Sequence, residues 1–487
     1  MKVDQTQNFV SRRAAAQALL ALLVLSGAAA PLYAQAPNPT SAANPFFGSV
    51  TVRGASDETL KLSLDDAIRR GLENNLGLKE AENGEKKLQG QKNEAIQEFL
   101  PSITLTADTG AHQQNLVAQG FGPNAVKEFS KLVTLPSGFS FITRDELTEG
   151  QIHFSQMLFS GPVIAGFKAA RAGEKAAHFA KMSARGEVVQ QVATAYLHAI
   201  AAASEVDNAK ALESTGQLLL SHVHAAHQAG TAANLDELRA RVQLQSQQQA
   251  RITAENSLEK DLILLKREIG IDPGQKIALT DPAPYSELAA QTPEEVRAVA
   301  YLNRQDYQNL QNQAVAYKAI HTAYRSQRLP SLSFGGYYGV SQVGAVGSHG
   351  NFVAQGTLSV PLFREGKLRG DAESAQAQLS GVEAQLADLR NQIDQQVRSA
   401  LLDVDATAKL VQVARSNVDL ATRALSDETD RVNAGVDDNL PLVDAQATLA
   451  AAQTSQVESL FQYNLAKLAV ARATGVLEQQ YRVYLGR

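Results

Sequence analysis

The sequence contains no cysteine and no tryptophan, only 3 methionines, and aromatics make up 6% of it. Without cysteine there is no disulfide, no thiolate metal site, no cysteine nucleophile and no lipid-modified N-terminal cysteine. A basic surplus is also missing. Lys plus Arg number 45 against 50 Asp plus Glu, a formal net charge of −5. A mildly acidic chain lacks the basic face that phosphate binding needs, so nucleic acid is not expected as a partner. Past the first 30 residues, no stretch is apolar enough for a membrane-spanning helix; uncharged runs carry Gln, His, Ser or Gly instead.

The 487 residues begin with an export-signal pattern. Lys2, Arg12 and Arg13 precede the uncharged run Ala14 to Ala30, and residues 1–34 are expected to be removed after Ala34. An exported chain without an apolar helix can enter a membrane only through β-strands.

Abundant Ala, Gln and Leu point to long helices, and the mature chain repeats itself. Leu100-Pro101-Ser102 recurs as Leu329-Pro330-Ser331, 229 residues on. Ala229-Gly230 recurs as Ala434-Gly435, and Asn234-Leu235 as Asn439-Leu440, both at an offset of 205. The first copy therefore carries roughly 25 extra residues, which fit a loop at about 112–148. The expected order is an extension over 35–61, a first repeat over 62–271, a connecting segment over 272–291, a second repeat over 292–476, and a tail over 477–487.

Each repeat opens on a capped helix: Ser63 and Thr292 are N-cap candidates, with Asp66 and Glu295 three residues on. That helix runs on to the Leu-Pro pair. Two alternating segments follow, expected as strands near 102–112 and 150–159, and near 331–341 and 351–362. Ile152, Phe154 and Leu158 are assigned to one face; Phe352, Leu358, Val360 and Leu362 form another such set. From Leu329 to Phe363 there is no Asp, Glu, Lys or Arg, as suits a lipid-facing wall. Next come heptad-spaced helices over 163–229 and 366–434, each roughly 100 Å long at 1.5 Å per residue. Each ends at an Ala-Gly placed as a C-terminal cap. Return helices are expected over 235–269 and 440–474, with Asn234 and Asn439 as cap candidates.

Four strands per chain cannot close a barrel, because single-chain barrels need at least about eight. Open edges are not tolerated in lipid, so several copies must share one barrel.

On these repeated features the chain resembles the TolC-like outer membrane efflux proteins, over about Leu62 to Leu477. The resemblance implies a mainly α fold with a small β part, built from a duplicated helix-strand-strand-long helix-helix unit. It implies a homotrimer whose 12-stranded outer membrane β-barrel continues as a periplasmic α-helical coiled-coil tunnel. Such a tunnel is the exit duct of a tripartite efflux pump or type I secretion system, with an inner membrane transporter and a periplasmic adaptor as partners. Adaptor contact falls on Ala229, Gly230 and Thr231, and on Ala434, Gly435 and Val436. The family's acidic constriction matches Asp444, nine residues after Gly435, while Pro441 occupies the companion acidic position. Asp236 matches a gate-tethering residue, but Val432 stands where its tyrosine partner would. Asp437 and Asp438 add to an acidic entrance, since converging carboxylates attract cations.

Of His222, His224 and His227, the last two share a helix face; with no acidic residue beside them, they read as exposed polar histidines, not metal ligands. No catalytic constellation is legible and no cofactor is implied. Gly335-Gly336 lacks the strand-to-helix setting of a phosphate loop, and Ser, His and Asp are dispersed. The alternative to a channel is a periplasmic coiled-coil scaffold or adaptor without a pore. The charge-poor duplicated hairpins favour the channel.

Overall fold

The computed structural model describes residues 44–50, 54–115, 117–118, 142–230, 233–344, 347–434 and 439–486. The signal segment 1–34, the middle of the expected loop, Thr231, and Gly435, Val436, Asp437 and Asp438 lie outside the described residues.

The elements of the first repeat are β1 (Leu60–Leu62), α1 (Leu64–Asn74), α2 (Leu76–Gln97), β2 (Ser102–Asn115), β3 (Ile142–Phe159), α3 (Gly161–Gln228) and α4 (Asn234–Glu268). The connecting segment holds β4 (Ile277–Leu279), and the second repeat α5 (Pro293–Asn303), α6 (Gln305–Ser326), β5 (Ser331–Val343), β6 (His349–Ser359), α7 (Glu365–Asn433) and α8 (Asn439–Ala473). A final helix, α9 (Leu477–Tyr484), lies where the sequence suggested only a tail. Contacts divide the described residues into two compact units, one within 88–173 and 314–381, the other within 44–87, 174–313 and 382–486.

In the first of these units, β2, β3, β5 and β6 form an antiparallel sheet in that order. Ile103 pairs with Phe154, Phe154 with Gly336, and Gly336 with Ala354. The register gathers Ile103, Leu105, Ile152, Phe334, Tyr338 and Phe352 on one face. Thr104, Thr106, Gln151, His153, Ser341 and Asn351 fall on the other. The assignment of Leu158 to the Phe154 face is corrected. The pairing slips between Met157 and Phe159, which sets Phe159 opposite Leu332 and leaves Leu158 as the extra residue of a bulge. Val360 and Leu362 follow the end of β6 at Ser359, next to Pro361, which has no N–H for a ladder. Both strands of the first hairpin are longer than expected. They include 112–115 and 142–148, where polar residues hide the period-two pattern. Helix packing in this unit uses small residues: Ala169 and Ala375 are buried with Ile320. Phe99 meets Phe167 edge to face at 5.7 Å.

In the second unit, β1 and β4 pair in parallel. The largest core gathers around Val188, Val192, Tyr196, Leu265, Ile269 and Leu468. The Tyr196 hydroxyl lies 2.9 Å from both the Leu62 carbonyl and Asp281 Oδ2. Ser63 Oγ accepts from the Asp66 N–H at 3.1 Å, and Thr292 and Glu295 form a reciprocal capping box.

The single opening helix read from sequence is two helices in each copy. Asn75 and Arg304, both with extended backbone, interrupt them at the same place in the repeat. Asn75 donates to the Phe46 carbonyl at 2.6 Å and accepts from the Leu78 N–H at 3.2 Å. Arg304 grips Asp306 at 3.0 and 2.6 Å.

Candidate functional site

The α3–α4 turn is built from backbone chemistry first. The Ala229 N–H donates to Ala225 at 3.0 Å and the Gly230 N–H to His227 at 2.9 Å, which closes the helix. Gly230 has φ 75, the left-handed conformation that favours glycine, and a Cβ there would meet nothing within 4 Å. Ala229 and Gly230 are therefore both capped and open to approach. Of the other predicted contact residues, Ala434 is exposed and closes α7 by donating to Asp430 at 2.9 Å.

The cap of α4 is Ala233, not Asn234. Alanine has no side-chain acceptor, so the helix start relies on Asp236. Its carboxylate accepts the Ala233 N–H at 3.3 Å and lies 3.7 Å from Arg239. Asp444 is exposed near the start of α8, its backbone carbonyl accepting the Thr448 hydroxyl at 2.9 Å.

Beneath the turn, Leu219, Val223, Ala240 and Leu442 are buried together, with Leu425, Val432 and Val443 packed against them. Val432 thus contributes apolar contact to this cluster. Deeper along the hairpin, the amide end of the Gln247 side chain occupies the place a Cβ at Gly216 would take.

His224 does have an acidic neighbour, contrary to the reading from sequence. Its Nδ1 lies 3.1 Å from Glu237 Oε1, which also accepts from Arg241 at 2.9 Å. The Gln228 amide lies 2.9 Å from the other ring nitrogen of His224. The contact holds the Glu237 carboxyl below the usual carboxylate range. Proximity in the fold, not in sequence, creates this group. The only sequence signal was an i,i+4 Glu-Arg pair.

The sheet supplies the second functional surface. On its apolar face Leu105 is 76% exposed, Phe352 74% and Tyr338 70%. In water this would be an aggregation hazard; in lipid it is a wall. Beyond Ala107 the first hairpin turns polar and charged, with Asp108 opposite Glu149, His112 opposite Asp145 and Gln113 opposite Arg144. Among the described residues no helix is long and apolar enough to cross a membrane.

A four-stranded sheet with an apolar face, joined in one chain to helices of 68 and 69 residues, defines an outer membrane channel-tunnel. The family model of the outer membrane efflux proteins matches residues 67–270 and 297–476, and the chain belongs to that family. The fold is similar to solved structures of the Campylobacter jejuni CmeC outer membrane channel and of a Pseudomonas aeruginosa membrane protein. The first is 17% identical, with TM-score 0.69 over 85% of this chain and 86% of that one. The second is 20% identical, with TM-score 0.72 over 85% and 93%. The open state of the Neisseria gonorrhoeae MtrE channel is 20% identical, with TM-score 0.68 over 85% and 89%. None of the curated proteins matches the chain. The protein is an exit duct for efflux in the outer membrane, and its helices are periplasmic.

Proposed function

We propose that three copies of the chain share one twelve-stranded barrel and one helical tunnel. The observation that carries this reading is the sheet itself. Its apolar face needs lipid, yet among the described residues β2 and β6 each have only one strand neighbour. Lipid does not tolerate open strand edges, and four strands are too few to close alone. Joining β6 of one copy to β2 of the next satisfies both edges and closes a ring.

The tunnel then ends at the α3–α4 and α7–α8 turns. A periplasmic adaptor docks on Ala229-Gly230-Thr231 and Ala434-Gly435-Val436, and an inner membrane transporter supplies the energy. Asp444 from three copies forms the constriction, and Asp236, Asp437 and Asp438 add negative charge around it. Repelling carboxylates on one axis favour cations in the closed or narrow state. The assembly serves a tripartite efflux pump or a type I secretion system.

Because the chain has no cysteine, an introduced one reports alone. Ala229→Cys carrying a photo-crosslinker should capture the adaptor, while a cysteine at exposed Lys409 on α7 should not. In planar bilayers Asp444→Asn should lower cation over anion selectivity. Equal crosslinking at both positions would reject the docking turns, and unchanged selectivity would reject the constriction.

A further inference from the structure

A trough of about 470 Å³ crosses the apolar face of the sheet. Its floor is Gly336 and Ala354, which stand opposite each other in register. Its walls are Ile103, Phe154, Phe334 and Phe352. Gly336 cannot carry a side chain, because a Cβ there would run into the Val353 carbonyl. Small residues among aromatics thus leave a shallow, open groove in the wall, the kind of surface an acyl chain can lie along. One mouth, formed by Ile103 and Phe334, opens toward the strand ends that join the helices, which is the periplasmic side.

Past that mouth the surface changes in a definite order. Leu362 and Phe363 are 93% and 92% exposed. Lys168, Arg325, Arg328, Arg364, Lys367 and Arg369 lie at the helix ends there, against Glu98, Glu365, Asp371 and Glu373. Glu365 is paired with Arg328 at 2.7 Å and with Arg369 at 3.1 Å, and Asp371 with Lys367 at 2.8 Å. Arg325 and Arg364 are exposed. The belt is net basic, at the level where lipid phosphates lie. The opposite strand ends carry Asp108, Asp145, Glu146 and Glu149 against Arg144, a net negative charge that repels phosphate.

We infer that a periplasmic-leaflet phospholipid docks on this wall, one acyl chain in the trough and its phosphate on the basic belt around Arg364. The charge order selects this source over the phosphorylated lipid of the outer leaflet. The inference needs only the outer membrane placement of the sheet, and it stands whether or not an adaptor binds the far turns.

The test is native mass spectrometry of the delipidated, detergent-solubilised protein, titrated separately with dioleoyl phosphatidylglycerol and with lipid A. One phosphatidylglycerol per chain should be retained, and lipid A should not. Ala354→Phe fills the trough and should weaken retention about tenfold, the equivalent of losing contact with a few methylenes. Arg364→Ala should weaken it too, whereas Ala107→Phe, on the same face outside the trough, should not. If Ala354→Phe fails to insert, the wild-type lipid comparison and Arg364→Ala decide. Equal retention by Arg364→Ala or Ala354→Phe and the wild type, preferential lipid A binding, or no adduct at all would overturn the proposal.

Discussion

His224 Nδ1 lies 3.1 Å from Oε1 of Glu237, joining the last turns of α3 to the start of α4. Glu237 also holds Arg241 at 2.9 Å, so one carboxylate links a histidine on one helix to an arginine on the next. Because its pKa is depressed on folding, the contact stabilises the turn above the ordinary value of 4.5. That stability is lost as the pH falls through the depressed value. Glu237→Gln at pH 7 should therefore show faster amide exchange over 220–241 than the wild type. The wild type should approach the variant's behaviour only as the pH falls below 4.5. Identical exchange in the two proteins at pH 7 would remove this link from the account.

Gly230 gives a different outcome. Its positive φ costs any other residue about 1 kcal/mol, but a Cβ has open space around it. Gly230→Ala should lower stability by about that amount and still assemble. Its efflux should fall well beyond what the lost protein explains, as the proposed docking at this turn requires. Full efflux at normal abundance would mean the turn is only a helix cap.

The two sheet faces predict opposite tolerances. Leu105→Lys puts a charge on the apolar face and should cost roughly 2–4 kcal/mol, with loss of folded protein from the outer membrane. Thr104→Lys, one residue away on the polar face, should be nearly silent in the same assay. Equal yields from both variants would contradict the lipid-facing assignment.

Glu268 should make the helical unit pH-sensitive. It is completely buried, donated to by Gln191 at 3.0 Å, and burial pushes its pKa from 4.5 up to about 8. The folded state then holds a proton that the unfolded state releases. Stability is fully present below 4.5 and is lost as the pH rises through about 8. Thermal unfolding followed from pH 5 to 9 should show this decline, and Glu268→Gln should flatten it. The variant should be the more stable protein at pH 8, by an amount on the order of a few kcal/mol. A wild-type profile that rises over this range would refute the buried neutral acid.

Much of the fold is legible because it is written twice. The Leu-Pro-Ser junctions and the Ala-Gly turns recur in order, and period two against period 3.5 separates strands from coiled-coil helices. What stayed hidden depends on tertiary partners. Neither Asn75 nor Arg304 belongs to a residue type that must break a helix. The break follows from Phe46 and Leu78 at one site and Asp306 at the other. The bulge at Met157–Phe159 leaves no trace in an apolar run. At the turns, Gly230 signals its own conformation, whereas the His224–Glu237 contact spans 13 residues and needs the hairpin to form.

The most direct test of the central claim is the native mass of the protein extracted from the outer membrane, by light scattering corrected for bound detergent. Three mature chains in a particle that needs detergent is the predicted result, because only a shared barrel satisfies the edges of β2 and β6. A detergent-free monomer or dimer, absent from the outer membrane, would contradict it.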